Sequence, residues 1–198
     1  MNGPLCSISP GTCADIDIVA GSGAIPGWEV FAQTAALGAV DYIGPPWDVF
    51  DGEHAIDLDG RDALFSGILQ GFATIAGEQY WVSFGISGDT GRELIKLLRV
   101  SVDGVSHDYS HDTSGQTMTD LLWEHLEFSF IAGGPTATLS FMSLTGVTSS
   151  YGALVDNVQV AGRVPEPSVL ALLACGVSAT FRRRALAQVL ARLSGITK

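Results

Sequence analysis

The sequence predicts an all-β chain, a jelly-roll β-sandwich followed by a single short apolar helix near the C-terminus. Three observations predict it. Apolar residues recur at every second position in several stretches, as they do on half-buried strands. Glycine, proline and aspartate turn signals punctuate the first 162 residues at short intervals. No stretch of those residues sustains a helical period. Eight or nine short strands separated by such turns close most readily into a sandwich or jelly roll.

The elements follow in chain order. Cys6 and Cys13 enclose the turn-rich Ser-Ile-Ser-Pro-Gly-Thr. In an oxidising compartment they either pair or remain two free thiols, and so small a loop contributes at most about 3 kcal/mol. Residues 28–32 and 38–43 read as strands around 33–37. Gly44-Pro45-Pro46 breaks the pattern before Trp47, because proline has no N–H to give a ladder. Residues 54–58 form a short strand closed by Asp59-Gly60. Residues 63–73 carry mixed apolar residues and end before a turn at Gly77.

The clearest alternation follows. Tyr80, Val82, Phe84 and Ile86 share one face, with Trp81, Ser83 and Gly85 on the other. Residues 88–91 form a loop. Leu98, Val100 and Val102 alternate again, and Asp103-Gly104 is a two-residue hairpin signal leading into residues 105–110. Residues 112–120 are a polar loop. Leu126, Phe128 and Phe130 alternate, Gly133-Gly134-Pro135 turns the chain, and Leu139 with Phe141 marks the next strand. Residues 152–160 form the last one.

Charge divides the chain sharply. Residues 1–162 hold four basic and 20 acidic residues, a net of −16, while residues 163–198 hold six basic and one acidic, a net of +5. A domain so acidic repels nucleic acid, whose binding rests on cationic contacts with phosphate. It suits calcium, neutral polysaccharide, or solubility alone.

The basic tail has its own organisation. Pro165-Glu166-Pro167 is a stiff, helix-hostile junction. Residues 168–181 are uncharged and mostly apolar, and Arg182-Arg183-Arg184 closes them. The positive-inside rule holds such arginines in the cytoplasm and places residues before 164 on the far side. In this order the three parts resemble the PEP-CTERM sorting signal of Gram-negative bacteria. The resemblance implies recognition by an exosortase-type membrane protease, cleavage near Pro165–Pro167, transient anchoring in the inner membrane, and delivery to the cell surface or extracellular matrix. Residues 185–198 continue past the arginines, with Leu186, Val189, Leu190 and Leu193 at helical spacing. They read either as an amphipathic helix on the inner leaflet or as an artefactual extension of the reading frame.

A second resemblance covers residues 1–162. Ile25-Pro26-Gly27-Trp28-Glu29-Val30, Val40-Asp41-Tyr42-Ile43-Gly44, Asp51-Gly52 with Asp57-Leu58-Asp59-Gly60, Gln70-Gly71-Phe72-Ala73-Thr74 and Ala153-Leu154-Val155-Asp156-Asn157-Val158 occur in order. Together they resemble the choice-of-anchor C family, akin to the galactose-binding-like jelly rolls of plant cell-wall proteins. That family opens on a strand reading roughly Leu-Val-Asn-Gly-Ser-Phe-Glu, and here the chain begins Met1-Asn2-Gly3. The expectation is that the true start and its leader lie upstream, since residues 1–15 have neither a basic n-region nor an apolar h-region.

Catalytic constellations are scarce. His107 and His111 on an extended segment lie roughly 13 Å apart, and no Cys or Glu completes a zinc set around them. There is no Gly-x-Ser-x-Gly elbow, phosphate loop or zincin motif. Asp57 and Asp59 share a strand face about 7 Å apart, within glycosidase range, but a strand-ending pair before Gly60 reads as a turn. The jelly-roll resemblance implies one structural calcium ion, with Asp156 as its last-strand ligand. The first-strand glutamate of that site has no counterpart near Cys6. Carbohydrate binding is the leading positive function, through stacking of sugar rings on aromatic planes. Trp28, Tyr42 and Trp47 are the expected platform, with Trp81, Trp123 and Tyr151 as further candidates. The chain therefore reads as an exported, non-catalytic protein that binds polysaccharide. A purely structural surface protein and a glycan-active enzyme are the alternatives.

Overall fold

The structure, a computed structural model, describes residues 15–33, 39–60, 65–145 and 150–162. Among these it contains eleven strands and no helix. They are β1 (Asp15–Ile18), β2 (Glu29–Phe31), β3 (Val40–Ile43), β4 (Ala55–Asp57), β5 (Gly67–Ala73), β6 (Gln79–Gly88), β7 (Ile95–Val102), β8 (Val105–Asp112), β9 (Glu124–Ile131), β10 (Thr136–Ser143) and β11 (Ala153–Gly162). One sheet has the order β1-β3-β4-β11-β6-β9 and the other β2-β5-β10-β7-β8. Every pairing is antiparallel. The expected all-β sandwich is what forms.

Alternation builds the core. Val82, Phe84 and Ile86 of β6 face Leu98, Val100 and Val102 of β7 and Leu139 and Phe141 of β10, all essentially solvent-free. Phe84 and Phe141 meet edge to face at 5.1 Å, the arrangement ring quadrupoles favour. Each such side chain contributes about 1.5–3 kcal/mol by leaving water. The Asp103-Gly104 turn joins β7 to β8 with positive φ at both residues, 49° and 82°, as a two-residue hairpin of matching twist requires.

Two features carry no clear sequence signal. β1 forms from Asp-Ile-Asp-Ile; Ile18 enters the core and the strand pairs with β3. The outer face of the six-stranded sheet is also not bare. Ile43, Ala55, Leu121 and Leu154 form a second small core there, joined by Trp47, Val49 and Trp123. Two loops supply this cover, residues 44–53 and 113–123. They are tied together by Asp48 N–H to Met118 O (2.8 Å) and Leu121 N–H to Asp48 Oδ2 (3.1 Å). Gly85 allows the first loop to approach, because a Cβ there would lie 2.8 Å from Cγ of Phe50.

Candidate functional site: an acidic cleft

Beside that second core the register sets three aspartates abreast. Asp17 of β1 lies opposite Asp41 of β3, which lies opposite Asp57 of β4. Their neighbours Ile16, Ile18, Val40, Tyr42 and Ile56 turn inward to the main core, so period two directs all three carboxylates outward. Directly opposed residues bring their Cβ atoms to about 5 Å, and like charges so placed repel. The sheet concentrates negative charge here against that cost.

Loop residues complete the site. Asp17, Asp41, Asp57 and Asp89 line a cleft of about 240 Å³ together with the rings of Trp47 and Tyr151. Ile43 and Ser150 finish its wall. The Tyr151 ring rests where a side chain on Gly91 would stand, so glycine at that position lets the ring lie against the loop. The Asp57 side chain accepts N–H bonds from Asp59 (2.9 Å) and Gly152 (3.1 Å). Asp89 N–H donates to Gly152 O at 3.0 Å, which fastens the two loops behind the cleft.

The electrostatics follow from burial. Desolvation first, and then the charges of Asp89, Asp59 and Asp41, push the Asp57 carboxyl well above the usual carboxylate range, against the Asp59 N–H bond. Burial raises Asp59 to about 7, opposed by a hydrogen bond from Ser143 and the charge of Lys96. Lys96 lies behind the cleft with no solvent exposure. Burial lowers its pKa, and Asp89, Asp57, Glu93 and Asp59 act in the opposite direction. Chemically the cleft offers carboxylate acceptors beside two aromatic faces.

The structure distributes the expected site residues as follows. Trp47 and Tyr151 lie in the acidic cleft. Trp28 packs edge-on to Phe141 (6.0 Å) and lines a separate cleft of about 150 Å³ with His54, Asp156 and Asn157. Tyr42 faces inward and stacks on His54 at 4.6 Å. Trp28, Tyr42 and Trp47 are thus not brought together as one platform, because alternation sends Tyr42 inward while Trp47 follows Ile43 onto the outer face. Trp81 stays on the outer side of β6, and Trp123 joins the second core beside Phe50.

Asp156 accepts backbone N–H bonds from Phe50 and Asp51 (both 2.9 Å) and Asn157 (2.6 Å). It stands at a register shift in β11 beside Asn157, whose φ is 47°. Three donors already meet its two oxygens, so the geometry gives it the work of fastening residues 50–51 to the sheet. Among the described residues no group of three His, Cys, Asp or Glu side chains is arranged to hold a metal ion. His107 packs on Phe128 at 4.7 Å, while buried His111 bonds Glu124 (2.7 Å) and Gln116. Asp57 and Asp59 are linked through the Asp59 backbone, as turn residues are. Cys6, Cys13, Pro165, Glu166, Pro167, Arg182, Arg183 and Arg184 lie outside the described residues.

The sequence reading missed the aspartate row and Lys96. The row has no sequence signal, since register is a property of pairs of strands. Lys96 had one, because it stands in the inward parity of Leu98, Val100 and Val102.

Residues 7–161 match the family model described as "Protein of unknown function (DUF642)". The chain belongs to the DUF642 family. This DUF642 domain is 28% identical over 145 residues to Halomucin of Haloquadratum walsbyi, covering 72% of this chain and 1% of that protein. Its fold is similar to that of TmCBM61, solved in complex with β-1,4-galactotriose. The TM-score is 0.50 at 20% identity, covering 71% of this chain and 92% of that one. A xylan-binding domain of Paenibacillus barcinonensis, CBM22-1, is more distant, with a TM-score of 0.46 at 16% identity over 72% and 89% of the two chains.

Proposed function

We propose that this DUF642 protein is an exported, non-catalytic protein that binds polysaccharide in the acidic cleft. The observation that carries the reading is the meeting of Trp47 and Tyr151 with Asp17, Asp41 and Asp89 in one open cleft. Sugar rings present C–H faces to aromatic planes, and their hydroxyls donate to carboxylates in charge-assisted bonds. The fold shared with a module that holds β-1,4-galactotriose supports the reading. The export signal completes it. Pro165-Glu166-Pro167, the apolar run and Arg182-Arg183-Arg184 present a sorting signal to an exosortase-type protease at the inner membrane of a Gram-negative cell. The product is released to the surface or matrix as a choice-of-anchor C-like domain.

Calorimetric titration of the purified protein against β-1,4-galactan, xylan and a neutral bacterial exopolysaccharide tests the binding. We expect saturable binding to at least one of them. Tyr151→Ala and Asp41→Asn should each weaken it about tenfold, which corresponds to about 1.4 kcal/mol. Absence of saturable binding by folded protein overturns the reading and leaves a structural surface protein. Release of new reducing ends would replace it with a glycan-active enzyme.

A further inference from the structure

Strand β7 sends residues 96, 98, 100 and 102 inward. Three are aliphatic, and the fourth is a lysine with no solvent exposure. Burying an ammonium costs several kcal/mol unless partners replace its water. Its partners are backbone carbonyls of two different loops, Nζ donating to Gly91 O at 2.7 Å and to Tyr151 O at 2.8 Å. The carboxylates of Asp89, Asp57, Glu93 and Asp59 surround it at longer range. Its stem runs over Gly88, where any Cβ would overlap Cγ of the lysine. The second carbonyl belongs to the cleft residue Tyr151, and the first lies two residues along the chain from the cleft residue Asp89.

We propose that Lys96 is the positioning residue of the acidic cleft. Its ammonium clamps the loop of Asp89 and Gly91 to the loop of Tyr151, and its charge offsets the carboxylates crowded beside it. A flexible surface pair would not hold two loops to one geometry, whereas a fixed internal cation with two carbonyl bonds does. The affinity consequence rests on the glycan reading above; the clamp itself does not.

The experiment uses the full chain and three variants. Lys96→Met keeps length and removes charge, Lys96→Arg keeps charge and displaces the donors, and Lys96→Ala removes three methylenes and the ammonium, the atoms that propylammonium would replace. Amide hydrogen exchange at Asp89, Gly91 and Gly152 reports the clamp, and glycan titration reports the cleft. For Lys96→Met we expect exchange at these amides at least tenfold faster than in the parent, with core amides of β6 and β10 unchanged, and glycan affinity lowered about tenfold. Lys96→Arg should fall between. Propylammonium should restore protection in Lys96→Ala, and the uncharged propanol should not. Parent-like protection in Lys96→Met overturns the proposal, as does a Lys96→Ala protein that propylammonium neither refolds nor protects. If no glycan binds the parent chain, the exchange and rescue results still decide the clamp, and only the glycan reading fails.

Discussion

Asp59 makes the local electrostatics measurable. Its side chain is 2% exposed, and Oδ2 has no hydrogen-bond partner. Burial raises its pKa from 3.8 to about 7. The folded state therefore holds this proton more tightly than the unfolded chain. The associated stability is complete below the unfolded value and is lost as pH rises through the folded one. At roughly 1.4 kcal/mol per pH unit, the full loss amounts to about 4 kcal/mol between about pH 4 and pH 8. Asp59→Asn keeps the shape and removes the ionisation. Its buried amide costs about 1–3 kcal/mol at the acid end, where the parent carboxyl is protonated. We expect the variant to be the less stable protein at pH 4.5 and the more stable one at pH 8. Urea unfolding at 25 °C across that range gives the difference directly, with m unchanged between the two proteins. A parent-minus-variant difference that stays constant within about 0.5 kcal/mol from pH 4.5 to 8 would refute the argument that burial governs this carboxyl.

Other perturbations probe the scaffold of the site. Asp156→Ala removes the acceptor of three backbone donors and should cost about 1–3 kcal/mol, with faster exchange at the Phe50 and Asp51 amides. Gly85→Ala drives a methyl into the Phe50 ring and should cost about 1–3 kcal/mol. Combining it with Phe50→Ala should recover part of that loss, and a double-mutant cycle measures the coupling. Phe141→Ala empties a solvent-free position between Phe84 and Trp28 and should cost about 3–5 kcal/mol in chemical denaturation. If the proposed sorting holds, replacement of Pro165 and Pro167 by alanine should block C-terminal processing in a host that makes an exosortase-type protease, read as a mass difference between the parent and variant proteins.

The sandwich was legible where the chain alternates over five or more residues. Tyr80–Ile86, Leu98–Val102 and Leu126–Phe130 declare which face is buried, because a strand has one inward residue in two whatever its partner. The Asp103-Gly104 turn was legible for a local reason too, as its backbone requires positive φ at both positions. β1 escaped because four residues hold only two apolar positions, and they gain their burial from β3 rather than from their own pattern.

The site divides along the same line. Sequence alone determined that the first 162 residues are strongly acidic and that Lys96 shares the parity of three core aliphatics. Local composition and period two decide those properties. Tertiary structure alone decided that Asp17, Asp41 and Asp57 stand abreast, that Tyr42 turns away from Trp47, and that the Lys96 ammonium reaches Gly91 and Tyr151. Each depends on strand order and register, which arise when residues far apart in the chain bury their apolar faces together. A charge can occupy so crowded a position only after that larger burial has settled the fold.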